Sequence, residues 1–190
     1  MAKIVLASGS PRRRELLERI GIRDFQVRVP QTDEDYPPEL TPEEIVSYIS
    51  RKKSLALASD PEEIVITADT MVFLDRQRLG KPADEAQALA MLTALAGRQH
   101  TVCTGVTVRQ GEKILTRAAQ TKVWFRTASQ QELLAYIRTG EPMDKAGAYG
   151  VQGQGALLVE RLDGDFFNVM GLPVLLLSRM LESFGINLFS

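Results

Sequence analysis

The feature that most constrains the fold is the stretch HTVCTGVTVRQGEKILTRAAQTKVWFR, residues 100 to 126. Its β-branched composition predicts two long paired strands that turn near Gly111. Two other segments begin with a helix capping box, Thr41 to Glu44 and Ser129 to Glu132. Strands in the middle of the chain with helices toward both ends predict an α/β fold. We expect a mixed central β-sheet flanked by helices, in two lobes around a cleft.

Local signals predict further elements. KIVLAS is typical of a buried strand leading into a helix that Ser10 caps and that starts at Pro11. Other helices are predicted over about 42–58, 84–96 and 173–184, and the helix capped by Ser129 stops at Gly140. EEIVITADTMVFLD reads as a strand interrupted by its polar Ala-Asp-Thr, and Asp163-Gly164 predicts a further hairpin.

Composition limits the classes of function. The 190 residues suffice for one domain spanning 1–190, and 44% apolar with 25% charged residues is typical of a globular protein. The formal net charge of −1 argues against stable binding of nucleic acid. The single cysteine, Cys103, excludes an internal disulfide. No stretch predicts a membrane span or a signal peptide, so we expect a cytoplasmic protein without a membrane partner.

The available side chains also limit the chemistry. One histidine excludes a His-rich zinc site, and the chain has no Walker-type phosphate loop, no Cys-x-x-Cys pair and no Gly-x-Gly-x-x-Gly. We interpret His100 and Cys103, at the start of the long β run, as structural residues. The remaining candidates are arginines, carboxylates, lysines and a glycine-rich loop.

Three arginines occupy the first turn of the predicted N-terminal helix, where acidic residues are preferred. A solvated basic helix end is one interpretation. The other is an anion site, because free N–H groups at a strand-to-helix turn and guanidinium groups both bind phosphate oxygens. Arg12 and Arg13 lie nearer the turn and are the candidates, whereas Arg14 is predicted to be solvated.

Carboxylates offer a second site. Asp69 lies between the apolar runs IVIT and MVFL, and a buried carboxylate must be paired, hydrogen-bonded or bound to metal. Backbone groups or the Thr70 hydroxyl are the structural alternative. Asp33 and Glu34 lie on a predicted loop before Pro-Pro, where acids are usually solvated. If they converge with Asp69, the oxygen-rich site suits Mg²⁺ or Mn²⁺.

Two lysines and one glutamine complete the candidates. Lys81 lies in the rigid turn LGKPAD, and Lys53 lies in SRKKS on a predicted helix, although each is also consistent with a surface position. The glycines of MDKAGAYGVQGQGALLV predict close backbone approach, to a ligand or within a structural crossover. In that loop Gln152 offers an amide that both donates and accepts, as reading a nucleotide base requires.

The motifs LASGSPRR, ADT, GKP, EPMDKAGAYGVQG and GLP, in this order, resemble those of the Maf family, the septum-formation-inhibitor-like nucleotide pyrophosphatases. The resemblance covers essentially the whole chain. It implies a Maf/inosine-triphosphatase-like fold, a homodimer, and hydrolysis of nucleoside triphosphates to monophosphate and pyrophosphate with a divalent metal cation. The loop pattern resembles that of the branch that acts on dTTP and UTP. Whether the substrate is a normal or a modified pyrimidine nucleotide is left open by the resemblance.

The resemblance also implies roles for individual residues. Asp69 would be the proton acceptor and, with Asp33 or Glu34, a metal ligand. Lys53 and Lys81 match the two lysines of the family. The implied substrate-binding positions, among them three associated with base selection, are Ser8, Arg12, Arg13, Thr70 and Gln152. The alternative function is a regulator of cell division that binds nucleotide or nucleic acid without turnover.

Overall fold

The computed structural model describes residues 3–189. These residues form a sheet flanked by helices. The strands are β1 (Ile4–Leu6), β2 (Phe25–Val27), β3 (Ile64–Leu74), β4 (Gln77–Leu79), β5 (Gln99–Gln110), β6 (Lys113–Phe125) and β7 (Val159–Asp163). The helices are α1 (Pro11–Arg19), α2 (Pro42–Ala56), α3 (Glu85–Leu95), α4 (Gln130–Ile137), α5 (Phe166–Met170) and α6 (Val174–Glu182). Short 3₁₀ helices span Glu141–Asp144, Ala146–Ala148 and Gln154–Leu158.

The sheet mixes parallel and antiparallel strands, in the order β2-β1-β3-β5-β6-β7, with β4 paired to β3. β1 runs parallel to β2 and β3, whereas β4 is antiparallel to β3 and β7 is antiparallel to β6. β1 is buried throughout, as expected of a parallel strand inside a sheet. The predicted α/β fold with a mixed central sheet and flanking helices is confirmed.

The chain divides into two compact units. The first comprises Met1–Thr70, Thr104–Ala119 and Gly171–Ser190, and the second comprises Met71–Cys103 and Gln120–Met170. The cleft expected from the sequence stays a prediction. No helix within residues 3–189 is long and apolar enough to cross a membrane.

In the first unit, α2 packs directly on the backbone of β5. A Cβ at Gly105 would overlap the carbonyl of Val46, so only glycine allows this approach. At the C-terminal end of α2, the Arg109 guanidinium donates to the carbonyl oxygens of Ser54, at 2.9 Å, and Leu57, at 2.7 Å. A cation at a helix C-terminus satisfies free carbonyls and complements the helix dipole. These contacts hold the last turn of α2, which carries Lys53.

In the second unit, His100 is part of the apolar core. Its ring is 1% exposed, contacts Phe125 and Tyr149 edge to face, and lies 2.7 Å through Nε2 from the Tyr149 hydroxyl. Burial lowers the pKa of His100 from its ordinary 6.5 to about 4, because the charged ring would lose its hydration. His100 is therefore neutral in the folded protein at neutral pH.

We expect His100 to make folding stability depend on pH. The pKa of His100 is lower in the folded protein than in the unfolded chain. Above about pH 6.5 the ring is neutral in both states, so folding stability is at its full value. Below that, the unfolded chain binds a proton that the folded chain does not, and stability falls by roughly 2–3 kcal/mol as the pH approaches 4. Urea unfolding at pH 7 and 4.5 should show a shallower pH dependence for His100→Gln. Equal slopes in the two proteins would contradict this.

The structure corrects three details of the sequence predictions. β3 runs without interruption through Ala-Asp-Thr, because the backbone of Asp69 stays extended. α1 begins at Pro11 as predicted, but the Ser10 side chain makes no capping hydrogen bond. The prediction of a hairpin at Asp163-Gly164 is wrong. β7 ends at Asp163 and pairs with β6, and the chain continues into α5. The other predicted helices are confirmed with ends shifted by up to three residues.

Candidate active site

A lysine between two carboxylates marks the candidate site in the first unit. The Lys53 ammonium, on the last turn of α2, donates to Asp69 Oδ1 at 2.7 Å and to Glu34 Oε1 at 2.9 Å. The Asp69 side chain is 6% exposed, whereas that of Glu34 is 48% exposed. The ammonium therefore links a buried carboxylate on β3 to a more accessible one on the loop after β2.

The second carboxylate oxygen of Asp69 differs from the first. Its Oδ2 is buried and has no hydrogen-bond partner among residues 3–189. A buried carboxylate oxygen without a partner costs free energy, so Oδ2 is a candidate to bind a group that is not part of the protein. The alternative that Thr70 satisfies Asp69 has no support, because the Thr70 hydroxyl bonds Arg13 and Thr104. This oxygen is the position in the site best suited to accept a proton or a cation.

The Arg13 guanidinium is fixed by three contacts within the same unit. Nε donates to the Gly171 carbonyl at 2.8 Å, Nη1 to Ser8 Oγ at 3.1 Å and Nη2 to Thr70 Oγ1 at 3.1 Å. Burial lowers the pKa of Arg13, while the negative charges of Asp69 and Glu34 act to raise it. A guanidinium oriented in this way has a fixed geometry for binding an anion.

The two loop acids take different lysines. Asp33 pairs with Lys52 and accepts the backbone N–H of Asp35 at 3.0 Å, so its carboxylate faces the neighbouring lysine of α2. The hydrogen bond from Lys52 lowers the pKa of Asp33. Glu34 instead shares Lys53 with Asp69. Of the two predicted metal ligands in the loop, the structure therefore joins Glu34 to the buried carboxylate.

The site offers carboxylate ligands for a divalent cation but not a complete coordination shell. Within residues 3–189 no three His, Cys, Asp or Glu side chains gather as a metal cage. Mg²⁺, however, is usually bound by one or two carboxylates, with waters and substrate phosphates completing its shell. The carboxylate of Asp69, whose Oδ2 has no partner in the described part of the chain, and the nearby carboxylate of Glu34 meet that requirement. The donor set thus suits a cation that is shared with a phosphate ligand.

Comparison with known proteins establishes the family. The model of the Maf-like protein family matches residues 3–184. The chain belongs to the Maf family. It is 50% identical over 184 residues to the dTTP/UTP pyrophosphatase of Exiguobacterium sibiricum, covering 97% of this chain and 93% of that protein. It is 44% identical over 190 residues to the dTTP/UTP pyrophosphatase of Bacillus pumilus, covering 100% of both.

One solved structure shows a weaker likeness to this Maf chain. It is a nucleoside-triphosphatase, dITP/XTP pyrophosphatase, from Mycobacterium abscessus, with a TM-score of 0.40 and 14% identity over 65% of this chain and 74% of that one. A likeness of this size carries no argument. The family is established by the sequence relatives and by the match over residues 3–184.

The other site residues predicted for the Maf chain differ in exposure and in the unit to which they belong. Arg12 is partly buried and Arg14 is exposed, as predicted for a solvated residue. Lys81 and Gln152 are exposed and belong to the second unit. Their participation with Asp69 in one site stays a prediction from the sequence.

Two residues that contact these segments are not among those predicted from the sequence. Thr104 of β5 lies 2.8 Å from the Thr70 hydroxyl, and nothing in the sequence distinguishes it from the other threonines of that strand. Glu141, in the second unit, accepts backbone N–H groups of the glycine-rich loop. A carboxylate directly before a glycine-rich segment was the available signal for Glu141.

Proposed function

We propose that this protein hydrolyses dTTP and UTP to the monophosphate and pyrophosphate. The observation that carries the proposal is Asp69, held through Oδ1 by Lys53 while its buried Oδ2 has no partner within residues 3–189. The names of the relatives, dTTP/UTP pyrophosphatases at 44% and 50% identity over nearly the full chain, support the substrate class. Modified pyrimidine nucleotides belong to the same class.

In this proposal Asp69 is the general base. Lys53 fixes the carboxylate, and Oδ2 accepts a proton from the water that attacks the α-phosphorus. A new P–O bond forms at that phosphorus, and the bond to the bridging oxygen of the β-phosphate breaks. Pyrophosphate leaves with the bonding electron pair. The reaction needs no other reactant than water.

Cations would stabilise the charge that develops on the departing pyrophosphate. Arg13 is already oriented by Ser8 and Thr70, and Arg12 lies beside it at the start of α1. We assign Lys81 to the same role from the family resemblance. A divalent cation, Mg²⁺ or Mn²⁺, would be held by Asp69 and Glu34. When bound, it would neutralise phosphate charge and acidify the attacking water.

We assign base selection to Gln152, with Arg12 and Thr70 as the other positions that the resemblance indicates. Thymine and uracil present an N3–H donor next to the O4 acceptor, which one side-chain amide can pair with simultaneously. Cytosine presents an unprotonated N3 next to an amino group. A reversed amide would fit cytosine, so selection requires that the orientation of the amide be fixed.

A nucleotide screen tests the proposal. With dTTP, UTP, CTP, ATP and GTP, we expect kcat/KM to be highest for dTTP and UTP, by about tenfold or more over CTP, since a mismatched buried hydrogen bond costs roughly 1–3 kcal/mol. Gln152→Ala should lower the UTP-to-CTP ratio. The products, monophosphate and pyrophosphate, are measured by chromatography. A preference for purine triphosphates, or an unchanged ratio in the variant, would contradict the assignment.

The two loop acids provide a matched pair of variants. Glu34→Gln should lower kcat/KM for UTP by about tenfold or more, because Glu34 shares Lys53 with Asp69. Asp33→Asn should stay within about threefold of wild type, since Asp33 pairs with Lys52. Steady-state kinetics of both variants at saturating Mg²⁺ decide between them. The reverse order of effects would transfer the role to Asp33.

We also propose a homodimer, on the basis of the resemblance. From the composition and charge of the chain, we propose that it lies in the cytoplasm and forms no stable complex with nucleic acid. Sedimentation at several protein concentrations measures the oligomeric state. Titration with single-stranded and duplex DNA at low salt tests the regulator alternative, because phosphate contacts are strongest there.

A further inference from the structure

The glycine-rich segment of the second unit folds around one carboxylate. Glu141 accepts through Oε1 from the Tyr136 hydroxyl at 2.8 Å and from the Gly155 N–H at 3.0 Å. Its Oε2 accepts from the Gln154 N–H at 2.9 Å. The Tyr136 hydroxyl in turn accepts the Gly150 N–H at 3.1 Å. Glu141 and Tyr136 therefore hold the loop backbone at residues 150, 154 and 155.

This carboxylate explains the glycines. A Cβ at Gly153 would overlap the carboxylate of Glu141, and one at Gly155 would lie 2.5 Å from both the Tyr136 hydroxyl and the Gly150 carbonyl. Side chains at either position would displace the carboxylate or the hydroxyl. The close backbone approach predicted from the sequence is thus an approach to Glu141 and Tyr136.

Charge fixes the direction of these hydrogen bonds. Burial acts to raise the pKa of Glu141, but hydrogen bonds from Gly155, Tyr136 and Gln154 outweigh it and hold that pKa below its ordinary value. Burial raises the pKa of Tyr136 well above its ordinary value. At neutral pH the carboxylate accepts only and the phenol donates to it, so this arrangement has a single polarity.

We infer that Glu141 is a positioning residue for base selection, which with Tyr136 clamps the loop on both sides of Gln152. Gly150 is held on one side of Gln152 and Gln154 on the other. Fixed backbone on both sides limits the directions in which the exposed amide can point. The clamp therefore narrows the orientations open to the amide, which discrimination of uracil from cytosine requires. The inference rests on the proposed function.

Glu141→Gln tests the clamp. The variant replaces one acceptor oxygen by an NH₂ group that faces donors, so a loop N–H or the Tyr136 hydroxyl loses its partner. We expect the UTP-to-CTP ratio of kcat/KM to fall by about fivefold or more. The change should be mainly in KM, with kcat for UTP within about threefold, because Glu141 is not assigned to the chemical step.

Two further variants separate positioning from general stability. Tyr136→Phe removes the hydroxyl that links Glu141 to Gly150, and it should shift the ratio in the same direction. Glu132→Gln is the matched control: Glu132 on α4 accepts the Ser129 N–H at 2.8 Å in a capping box of the same unit. It should lower the melting temperature and leave the ratio unchanged.

Hydrogen–deuterium exchange gives a readout independent of activity. The peptide covering residues 150–155 should exchange faster in Glu141→Gln than in wild type or Glu132→Gln. Two outcomes would overturn the inference while leaving the proposed function intact, provided that the wild type is active. One is unchanged exchange of this peptide in Glu141→Gln. The other is an unchanged UTP-to-CTP ratio in the folded Glu141→Gln and Tyr136→Phe variants. If Glu141→Gln does not fold, Tyr136→Phe carries the test. Wild type that hydrolyses no pyrimidine triphosphate overturns the proposed function, and the inference falls with it.

Discussion

Asp69→Asn is expected to reduce kcat for UTP by roughly 10²–10⁴-fold, the range for loss of a general base. The asparagine Oδ1 can still accept from Lys53, which places an NH₂ group where Oδ2 lies in the wild type. An amide there cannot accept a proton from water. If Asp69 also holds a cation, the loss should exceed this range. Single-turnover kinetics with UTP measure the chemical step directly.

Asp75→Asn is a suitable control for that experiment. Asp75 forms an exposed ion pair with Arg98 in the second unit, and exposed pairs contribute little. It should keep the wild-type rate. Circular dichroism should show that Asp69→Asn is folded, because asparagine is nearly isosteric and Lys53 keeps Glu34 as a partner. More than half of the wild-type rate in folded Asp69→Asn would contradict the role of Asp69.

The helices were predictable because their signals are local. The capping boxes at Thr41 and Ser129 are both present, and α2 and α4 begin directly after them. A capping box involves four consecutive residues, so neighbours in the sequence suffice to predict it. The same holds for Pro11 at the start of α1.

Strand pairing depends on distant residues and was predicted less well. β7 reads locally as half of a hairpin, yet its partner is β6, more than thirty residues earlier. The polar Asp69 predicts an interruption of β3, but strand backbone accommodates a polar side chain when another element supplies a partner. That partner is Lys53 on α2, and no local pattern in β3 indicates it.

For the candidate site, the residue types were predictable but their partners were not. Lys52 and Lys53 are adjacent on α2 and pair with different loop acids. Which of Asp33 and Glu34 shares Lys53 with Asp69 therefore depends on the position of α2. Close packing of α2 against Gly105 sets that position. Likewise, the glycines of the loop indicate that another group approaches the backbone closely, but the sequence does not indicate that this group is Glu141.

Chelation is expected to have the second large effect. Treatment with EDTA should lower turnover of UTP by about 10²-fold or more, since a bound cation contributes several kcal/mol of charge stabilisation. Mg²⁺ or Mn²⁺ should restore it. The melting temperature should not change, because no three potential ligands gather within residues 3–189 to form a structural metal cage. Full turnover by thoroughly chelated protein would overturn the dependence on metal.

The small number of carboxylate ligands at the site predicts that cation and nucleotide bind together. With Asp69 and Glu34 as the only assigned protein ligands, phosphate oxygens must supply much of the shell. Calorimetric titration should therefore show weak binding of Mg²⁺ to the protein alone and tighter binding with a non-hydrolysable UTP analogue. Asp69→Asn should reduce that difference, whereas Asp33→Asn should preserve it. Equally tight binding with and without the analogue would contradict a shared site and indicate ligands that the protein supplies by itself.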